Sequence, residues 1–257
     1  MAASTYPDLQ GKVFVVTGAS SGMGHNLSIL LAKQGASVGL LDVNKPDKVA
    51  AEIESLAGDA RALALAVDVT KADQMEAAVK AVFDKFGRLD GAANMAGIVG
   101  DKKLGDTSYA LEKLQDSDWD KIMKVNLDGV KNSLRAELKV MKGPGAIVNA
   151  ASISGQAGNP FAVPYSVSKW GVIGLTKGAA GEVGSKGIRI NAVAPGIVRT
   201  PLTETLGQDT MEGLLSSRLA LGKLADPQEI TRVIVFMLSD AAAYMTGTVV
   251  NADGGFM

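Results

Sequence analysis

Short apolar runs rich in valine, isoleucine, leucine and alanine recur along the chain, separated by segments with apolar residues at helical spacing. The runs predict seven strands, at residues 12–17, 37–42, 62–67, 89–93, 145–151, 188–194 and 248–251. The segments between them predict helices, among them residues 71–86, a long helix over 117–141 and a helix over 227–238. Strands that alternate with crossover helices favour a doubly wound, parallel α/β sheet, here one domain over residues 1–257 with a tail at 1–8.

A glycine-rich turn, Gly18-Ala19-Ser20-Ser21-Gly22-Met23-Gly24, joins the first predicted strand to the first predicted helix. Glycines let the backbone approach an anion closely, and the unpaired N–H groups and dipole of a helix N-terminus hold it. A strand, a glycine-rich turn and a helix in this order therefore predict a site for nucleotide phosphates.

The second predicted strand ends at Asp42, 18 residues after Gly24. A carboxylate at about this distance commonly accepts hydrogen bonds from an adenosine ribose and repels a 2′-phosphate. Neither Ser21 nor Val43 supplies a positive charge, which favours NAD(H) over NADP(H), although Lys45 could still reach a phosphate. The alternative is that Asp42 only caps the helix that follows.

Tyr165 and Lys169 lie four residues apart on a predicted helix, so their side chains share one face. A nearby ammonium group lowers the pKa of a phenol from its ordinary value of about 10, so the pair is a plausible proton-transfer couple. Ser152 follows the fifth predicted strand at its carboxyl end, with Ser154 as the alternative serine for a role there.

Four glycines occupy the opposite face of the same helix: Gly171, Gly174, Gly178 and Gly181. Each glycine costs a helix roughly 1 kcal/mol relative to alanine, so a stripe of them predicts that another backbone packs closely there. Such a flat face suits a two-fold contact between copies of the chain.

Several polar or turn-forming residues follow the carboxyl ends of predicted strands: Gly18, Asp42, Asp68, Asn94, Ser152 and Pro195. Ligands of doubly wound sheets bind beyond these strand ends, so we expect the residues to converge on one site.

Composition excludes several kinds of site. Lys plus Arg number 26 against 27 Asp plus Glu, which gives no reason to expect nucleic acid or an anionic membrane as a partner. The chain has no cysteine, and its single histidine, His25, leaves no cluster for a metal, so no metal site is expected. No apolar run is long enough to span a membrane and residues 1–8 do not look like a leader, so we expect a soluble, cytoplasmic protein.

These motifs, in this order, resemble the short-chain dehydrogenase/reductase family over about residues 9–255. The matching pieces are Thr17–Gly24, Asp68-Val69, Asn94-Met95-Ala96-Gly97, Asn126, Ser152, Tyr165 with Lys169, and Pro195-Gly196 with Thr200. The gap of thirteen residues between Ser152 and Tyr165 is usual for the family, whereas Met95 replaces its usual second asparagine.

The resemblance implies roles for four catalytic residues. Tyr165 would exchange a proton with the substrate oxygen, and Ser152 would hold that oxygen. Lys169 would lower the pKa of the phenol and bind the nicotinamide ribose, while Asn126 would order a water that links Lys169 to solvent. The implied fold is a Rossmann-type sheet, and the implied assembly is a homotetramer.

The resemblance also implies a nicotinamide dinucleotide along the strand ends. The residues expected around it are Gly18, Ser20, Ser21, Gly22, Met23, Gly24, Asp42, Val43, Asp68, Val69, Asn94, Ala96, Gly97, Tyr165, Lys169, Pro195, Gly196, Ile197 and Thr200. NAD is expected, with NADP less favoured.

We expect an enzyme that interconverts a secondary alcohol and a ketone on an apolar, alicyclic small molecule. A redox-neutral isomerase, dehydratase or cyclase of the same fold is the alternative, and a non-catalytic dinucleotide sensor would show degenerate active-site residues, which are not seen. Residues 197–222 are expected to form a substrate loop, in which Leu202, Leu206, Met211, Leu214 and Leu215 are either core or part of a lid.

Overall fold

Seven parallel strands form one sheet in the computed structural model, which describes residues 6–57, 61–102, 106–203 and 219–256. The strands are β1 (Val13–Thr17), β2 (Ser37–Asp42), β3 (Ala62–Ala66), β4 (Gly91–Asn94), β5 (Gly145–Ala150), β6 (Ile188–Pro195) and β7 (Val249–Ala252). Their order across the sheet is β3-β2-β1-β4-β5-β6-β7, and every neighbouring pair is parallel. The predicted parallel, Rossmann-type sheet is confirmed.

Helices cover both faces of the sheet. They are α1 (Gly22–Lys33), α2 (Asp47–Ala57), α3 (Ala72–Phe86), α4 (Asp116–Met123), α5 (Gly129–Val140), α6 (Val163–Val183) and α7 (Pro227–Leu238). Because successive strand residues point to opposite faces, Phe14 and Val16 join an apolar layer with α1, α2 and α7, while Val13 and Val15 join one with α3, α5 and α6. All five residues of β1 are buried, as expected for a central strand covered on both sides.

Local sequence accounts for several helix ends and close approaches. Helix α7 begins at Pro227 behind a capping box formed by Asp226 and Glu229, and α3 is capped after Phe86 by Gly87, which has a left-handed backbone (φ 77°). In β2, Gly39 leaves room for the side chain of Val82 from α3. The sequence therefore sets the spacing between sheet and helices as well as the elements themselves.

The long helix predicted over residues 117–141 is present as one helical run from Asp116 to Val140, with a local widening at its centre. A π-helical turn at Lys124–Asp128 separates α4 from α5, and it contains the fully buried Asn126. The Asn126 side chain forms hydrogen bonds with the backbone of Ile98 and with Ser168, and these bonds stabilise the π-helical turn.

Two regions singled out by the sequence are only partly described. Of the predicted tail, the Tyr6 N–H donates to the Gln34 side chain, and Asp8 accepts from the backbone N–H of Asp240. Residues 204–218, which include Leu206, Met211, Leu214 and Leu215 of the predicted lid, lie outside the described residues. Among the described segments, no helix has the length and apolar character needed to cross a membrane.

Candidate active site

Ser152 lies at the carboxyl end of β5, next to the first turn of α6, which carries Tyr165. The Ser152 Oγ accepts a hydrogen bond from the Ser154 N–H at 3.1 Å and lies near enough to the Tyr165 hydroxyl to lower the pKa of that phenol. Ser154 instead accepts from the Asn159 side chain at 2.6 Å. The structure therefore pairs Ser152, rather than Ser154, with the phenol.

Lys169 is buried one helical turn after Tyr165. Its Nζ donates to the backbone oxygen of Ala150 at 2.8 Å and lies 5.6 Å from the centroid of the Tyr165 ring. Burial lowers the pKa of Lys169 to about 8, because the charged amine is desolvated.

The pKa of Tyr165 differs from the sequence-based expectation. Burial raises it above the ordinary value, and the interaction with the Ser152 side chain opposes that rise. The structure therefore does not show the predicted lowering of the phenol pKa by Lys169, since the amine is directed to Ala150. In this state the phenol is a proton donor.

Asn126 holds the loop after β4 against α6. Its Oδ1 accepts from the Ile98 N–H at 2.8 Å, and its Nδ2 donates to the Ile98 carbonyl at 2.9 Å and to Ser168 at 3.1 Å. A Cβ placed on Gly97 would lie 3.3 Å from Asn126 Oδ1 and 3.4 Å from Lys169 Nζ. Gly97 thus lies against both polar groups, and any side chain there would crowd them.

A cleft of about 430 Å³ runs along the carboxyl ends of the strands. It is lined by Gly18, Ser21, Gly22, Met23, Gly24, Asp42, Val43, Val67, Asp68, Val69, Thr70, Met95, Ala96, Gly97, Ile98, Val125, Thr200, Pro201 and Leu202. A larger cleft of about 570 Å³, around Lys12, Arg189 and Tyr244, lies at the amino ends of the strands, away from the catalytic candidates.

The glycine-rich turn fits an anion. Gly18 has a left-handed backbone (φ 67°), and a Cβ on it would lie 2.9 Å from the Ala96 nitrogen; Gly24 is packed against the backbone of Gly18. Ser21, the residue before α1, makes no capping hydrogen bond with its side chain. A close-packed glycine turn that leads into a helix N-terminus without a side-chain cap is suited to hold phosphate oxygens.

Asp42 lies at the rim of the cleft with both carboxylate oxygens engaged. Oδ2 accepts from the Ser20 N–H at 3.0 Å, and Oδ1 accepts from the Asn44 N–H at 3.1 Å. The predicted cofactor residue Ser20 directs its hydroxyl to the Asn44 carbonyl rather than into the cleft. Asp42 therefore has a fixed position, set by two backbone donors.

Several predicted cofactor residues do not line the cleft. The Asn94 side chain is buried and donates to Glu137 and Asn149, because strand register directs it into the helical layer. Gly196 and Ile197 follow the end of β6 at Pro195 and line a different pocket, with residues 219–221 and 251–255. Thr200 does belong to the cleft, where its Cγ2 lies 3.3 Å from a Cβ built on Gly22.

Sequence reasoning missed other lining residues: Val67, Thr70, Met95, Ile98, Val125 and Pro201. Each is within one residue of a predicted site residue, so the signal was their position at a strand end or beside Asn126. His25, next to the turn, pairs with Glu52 at 2.8 Å. Within the described ranges, no three His, Cys, Asp or Glu side chains group as metal ligands would.

The comparisons agree with this geometry. A family described as Enoyl-(Acyl carrier protein) reductase matches residues 18–257. The chain is 40% identical over 253 residues to 3-oxoacyl-[acyl-carrier-protein] reductase FabG of Thermotoga maritima, covering 97% of this chain and 99% of that protein. It is 38% identical over 252 residues to the short-chain dehydrogenase/reductase aba4 of Botryotinia fuckeliana, covering 95% and 96% respectively.

Solved structures give the same result. The crystal structure of levodione reductase matches with a TM-score of 0.89 and 36% identity, covering 96% of this chain and 97% of that one. The fold and site define an oxidoreductase that acts on CH–OH or C=O groups. The chain belongs to the short-chain dehydrogenase/reductase family, whose members bind NAD or NADP.

Proposed function

We propose that this enzyme interconverts a secondary alcohol and a ketone on an apolar, alicyclic small molecule, using NAD(H). The observation that carries the proposal is the meeting of Ser152, Tyr165 and Lys169; none of them lines the strand-end cleft itself, but Lys169 lies against Gly97, which does. A hydroxyl, a phenol and a buried amine that lie together supply the proton donor and the hydrogen bonds to oxygen that carbonyl reduction requires from a protein.

In the reductive direction, the Tyr165 hydroxyl gives its proton to the carbonyl oxygen while Ser152 donates a hydrogen bond to the same oxygen. The raised pKa of Tyr165 keeps the phenol protonated until that step. The nicotinamide, when bound, supplies the hydride that reaches the carbonyl carbon. Lys169 then returns a proton to the phenolate, which is why a buried amine with a pKa of about 8 is useful there.

Asp42 supports NAD(H) over NADP(H). Its carboxylate is held at the cleft rim by two backbone N–H groups, where a 2′-phosphate would meet a negative charge. Lys45, three residues after Asp42, is paired with Asp47 at 2.7 Å, and His25, beside the glycine-rich turn, is paired with Glu52 at 2.8 Å. A direct comparison of activity with the two dinucleotides tests this preference, and higher activity with NADP(H) would contradict it.

The proposal of an apolar substrate is supported by the apolar side chains of the cleft. Met95, Ile98, Val125 and Leu202 contribute to the cleft wall. Phe161, in the loop between Ser152 and Tyr165, is 39% exposed and has a left-handed backbone (φ 58°), which is unusual for an aromatic residue. Backbone strain of this kind clusters at ligand sites, so we assign Phe161 to substrate contact.

Self-association is the last part of the proposal. Among the described residues, nothing outside the neighbouring turns of α6 lies within 4 Å of a Cβ built on Gly174, Gly178 or Gly181, so this face of α6 is open to them. Gly171 differs from the prediction, because it packs on Leu127 of the same chain. We propose that the three open glycines form part of a two-fold contact within a homotetramer.

The test uses purified enzyme with NADH or NADPH and a panel of cyclic ketones, plus one 3-oxoacyl thioester because of the FabG relative. Reduced nicotinamide is followed by absorbance, and product formation without net dinucleotide consumption would indicate the redox-neutral alternative. Tyr165→Phe should abolish turnover, whereas Tyr244→Phe, at a fully exposed tyrosine, should not. Full turnover in Tyr165→Phe would refute the role of the phenol.

A further inference from the structure

A chain of four buried polar side chains crosses the helical layer behind the cleft. Asn94 ends β4, Glu137 belongs to α5, Asn149 lies in β5 and Thr176 lies in α6. Each is at most 1% exposed. The catalytic roles proposed above use none of these side chains.

The direction of the hydrogen bonds among these four side chains follows from the bond that Thr176 makes. The Val172 carbonyl can only accept, so the Thr176 hydroxyl donates to it at 2.7 Å and accepts from Asn149 Nδ2 at 3.0 Å. Asn149 therefore turns its Oδ1 toward Asn94, whose Nδ2 donates to it at 2.9 Å. The orientation of both amides is thus set by donor and acceptor chemistry.

Asn94 Nδ2 gives its second hydrogen to Glu137 Oε2, at 3.2 Å. Two atoms of this pair then remain buried without a partner, Asn94 Oδ1 and Glu137 Oε1. Both are acceptors when the carboxyl is ionised. One proton on the carboxyl would satisfy both atoms, and buried polar atoms without partners are otherwise costly.

Several charged groups on the surrounding elements are engaged elsewhere. Arg135 and Lys139 of α5 pair with Glu76 of α3, and Lys169 of α6 donates to the Ala150 carbonyl. Ahead of β4, Asp90 pairs with Arg88. Burial accordingly raises the pKa of Glu137 to about 8, opposed only by the hydrogen bond from Asn94.

We propose that Glu137 is a neutral carboxylic acid whose proton lies between its Oε1 and Asn94 Oδ1, and that this acid–amide pair positions the end of β4 for dinucleotide binding. The residues that follow Asn94 form the cleft floor. The N–H groups of Met95 and Ala96 donate to Thr17 Oγ1 at 3.0 and 3.2 Å. Fixing Asn94 therefore fixes the loop between the glycine turn and Lys169.

Glu137→Gln tests the protonation state in the free protein. Glutamine offers an N–H in place of the acid O–H and cannot ionise, so it mimics the neutral form. In the wild type, the folded state keeps a proton that the unfolded chain releases above its ordinary pKa of 4.5. Between pH 4.5 and 8, the unfolding equilibrium constant of the wild type should therefore rise about tenfold per pH unit relative to that of Glu137→Gln. Above that range, the pH profiles of the two proteins should be parallel.

Glu54→Gln makes the same change at an exposed position on α2 and should follow the wild-type profile. Urea unfolding at a series of pH values gives all three curves. Parallel curves for the wild type and Glu137→Gln across the window would overturn the proposal, since they would show that the carboxyl is ionised in the folded state.

The positioning role rests on the proposed dinucleotide site and needs a second measurement. Calorimetry with NADH should show wild-type affinity about tenfold weaker at pH 9 than that of Glu137→Gln, with equal affinities at pH 7. Equal affinities at both values would overturn the positioning role. Absence of NADH and NADPH binding in every protein would instead overturn the proposed function, while the unfolding curves still decide the protonation state.

Discussion

The Lys169 ammonium group donates a hydrogen bond to the Ala150 carbonyl at 2.8 Å, which holds the charge at the end of β5 and not on the phenol of Tyr165. The amine is buried and has this backbone carbonyl as its hydrogen-bond partner, so its charge costs stability. This cost is the kind that an active site bears for its chemistry.

Lys169→Met should therefore separate stability from activity. Lys169 has a pKa of about 8 when folded, against an ordinary value of 10.5, so the unfolded chain binds more protons between these values and stability rises with pH there. The variant should lose that rise. Below pH 8 the free energy of unfolding of the variant should rise by at most about 3 kcal/mol, because no charged amine is buried. Leaving the Ala150 carbonyl unpaired should lower it by about 1–3 kcal/mol. Turnover should fall about 10²–10⁴-fold.

Urea unfolding from pH 7 to pH 10.5 and steady-state kinetics measure both effects. Lys177→Met removes an exposed lysine from the same helix and should change neither. If Lys169→Met keeps the wild-type rise of stability between pH 8 and 10.5, the buried amine is not the group that titrates.

Ser152→Ala and Ser154→Ala should have different effects, although the two serines are two residues apart. Ser152 lies beside the phenol and interacts with it, so its loss should lower kcat about 10²–10³-fold. Ser154 contacts Asn159 instead, so its loss should leave kcat within a few-fold. Steady-state kinetics on both variants, with melting temperatures to confirm folding, decide the matter; equal losses of kcat would contradict the assignment.

Much of the fold follows from the sequence for simple reasons. Central strands of a parallel sheet are buried on both faces, so they are legible as apolar runs, and crossover helices force a parallel order. Tyr165 and Lys169 are recognisable because helical spacing alone places them together. The strand-end rule then brings Gly18, Asp42 and Ser152 to the same edge.

Other features depend on partners distant in sequence. The π-helical turn contains Asn126, whose partner Ile98 lies 28 residues earlier, a pairing that no local pattern encodes. Asn94 turns away from the cleft because register places it beside Asn149. One signal was present in the sequence: Glu137 occupies the same helical stripe as Val130 and Leu134, where an apolar residue is expected.

Asn126→Ala should destabilise the enzyme more than a comparable buried change. It leaves both the N–H and the carbonyl of Ile98 without their partner, for a loss of about 2–5 kcal/mol. Asn132→Ala, the matched control on α5, frees only the Val69 carbonyl and should cost about 1–3 kcal/mol. Urea unfolding gives both values, and a smaller loss for Asn126→Ala would show that Ile98 finds other partners.

Asp42→Asn should shift dinucleotide preference toward NADP(H). Removing one negative charge beside the expected 2′-phosphate relieves repulsion, so the ratio of the NADPH to the NADH dissociation constant should fall about tenfold or more. Lys45→Ala serves as the control and should leave the ratio unchanged, because Lys45 pairs with Asp47. Titration by fluorescence measures both ratios; a wild type that already prefers NADPH would overturn the assignment of Asp42.

Gly178→Glu should break the proposed contact between copies without harming the fold of one copy. Gly178 is exposed at the open face of α6, and glycine is a poor helix former, so most replacements favour the helix by up to about 1 kcal/mol. Within a two-fold contact, however, each new carboxylate would face its symmetry mate across a closely packed surface.

Light scattering should give a tetramer for the wild type and a smaller species for Gly178→Glu. Gly143→Glu, at another glycine whose built Cβ has no neighbour within 4 Å in the described part of the chain, should keep the wild-type mass. Measuring both mass and stability decides the question. If this face of α6 contacts only solvent, Gly178→Glu should be more stable than the wild type and have the same mass. That second result would mean that the stripe of glycines on α6 has no partner and that any assembly uses another surface.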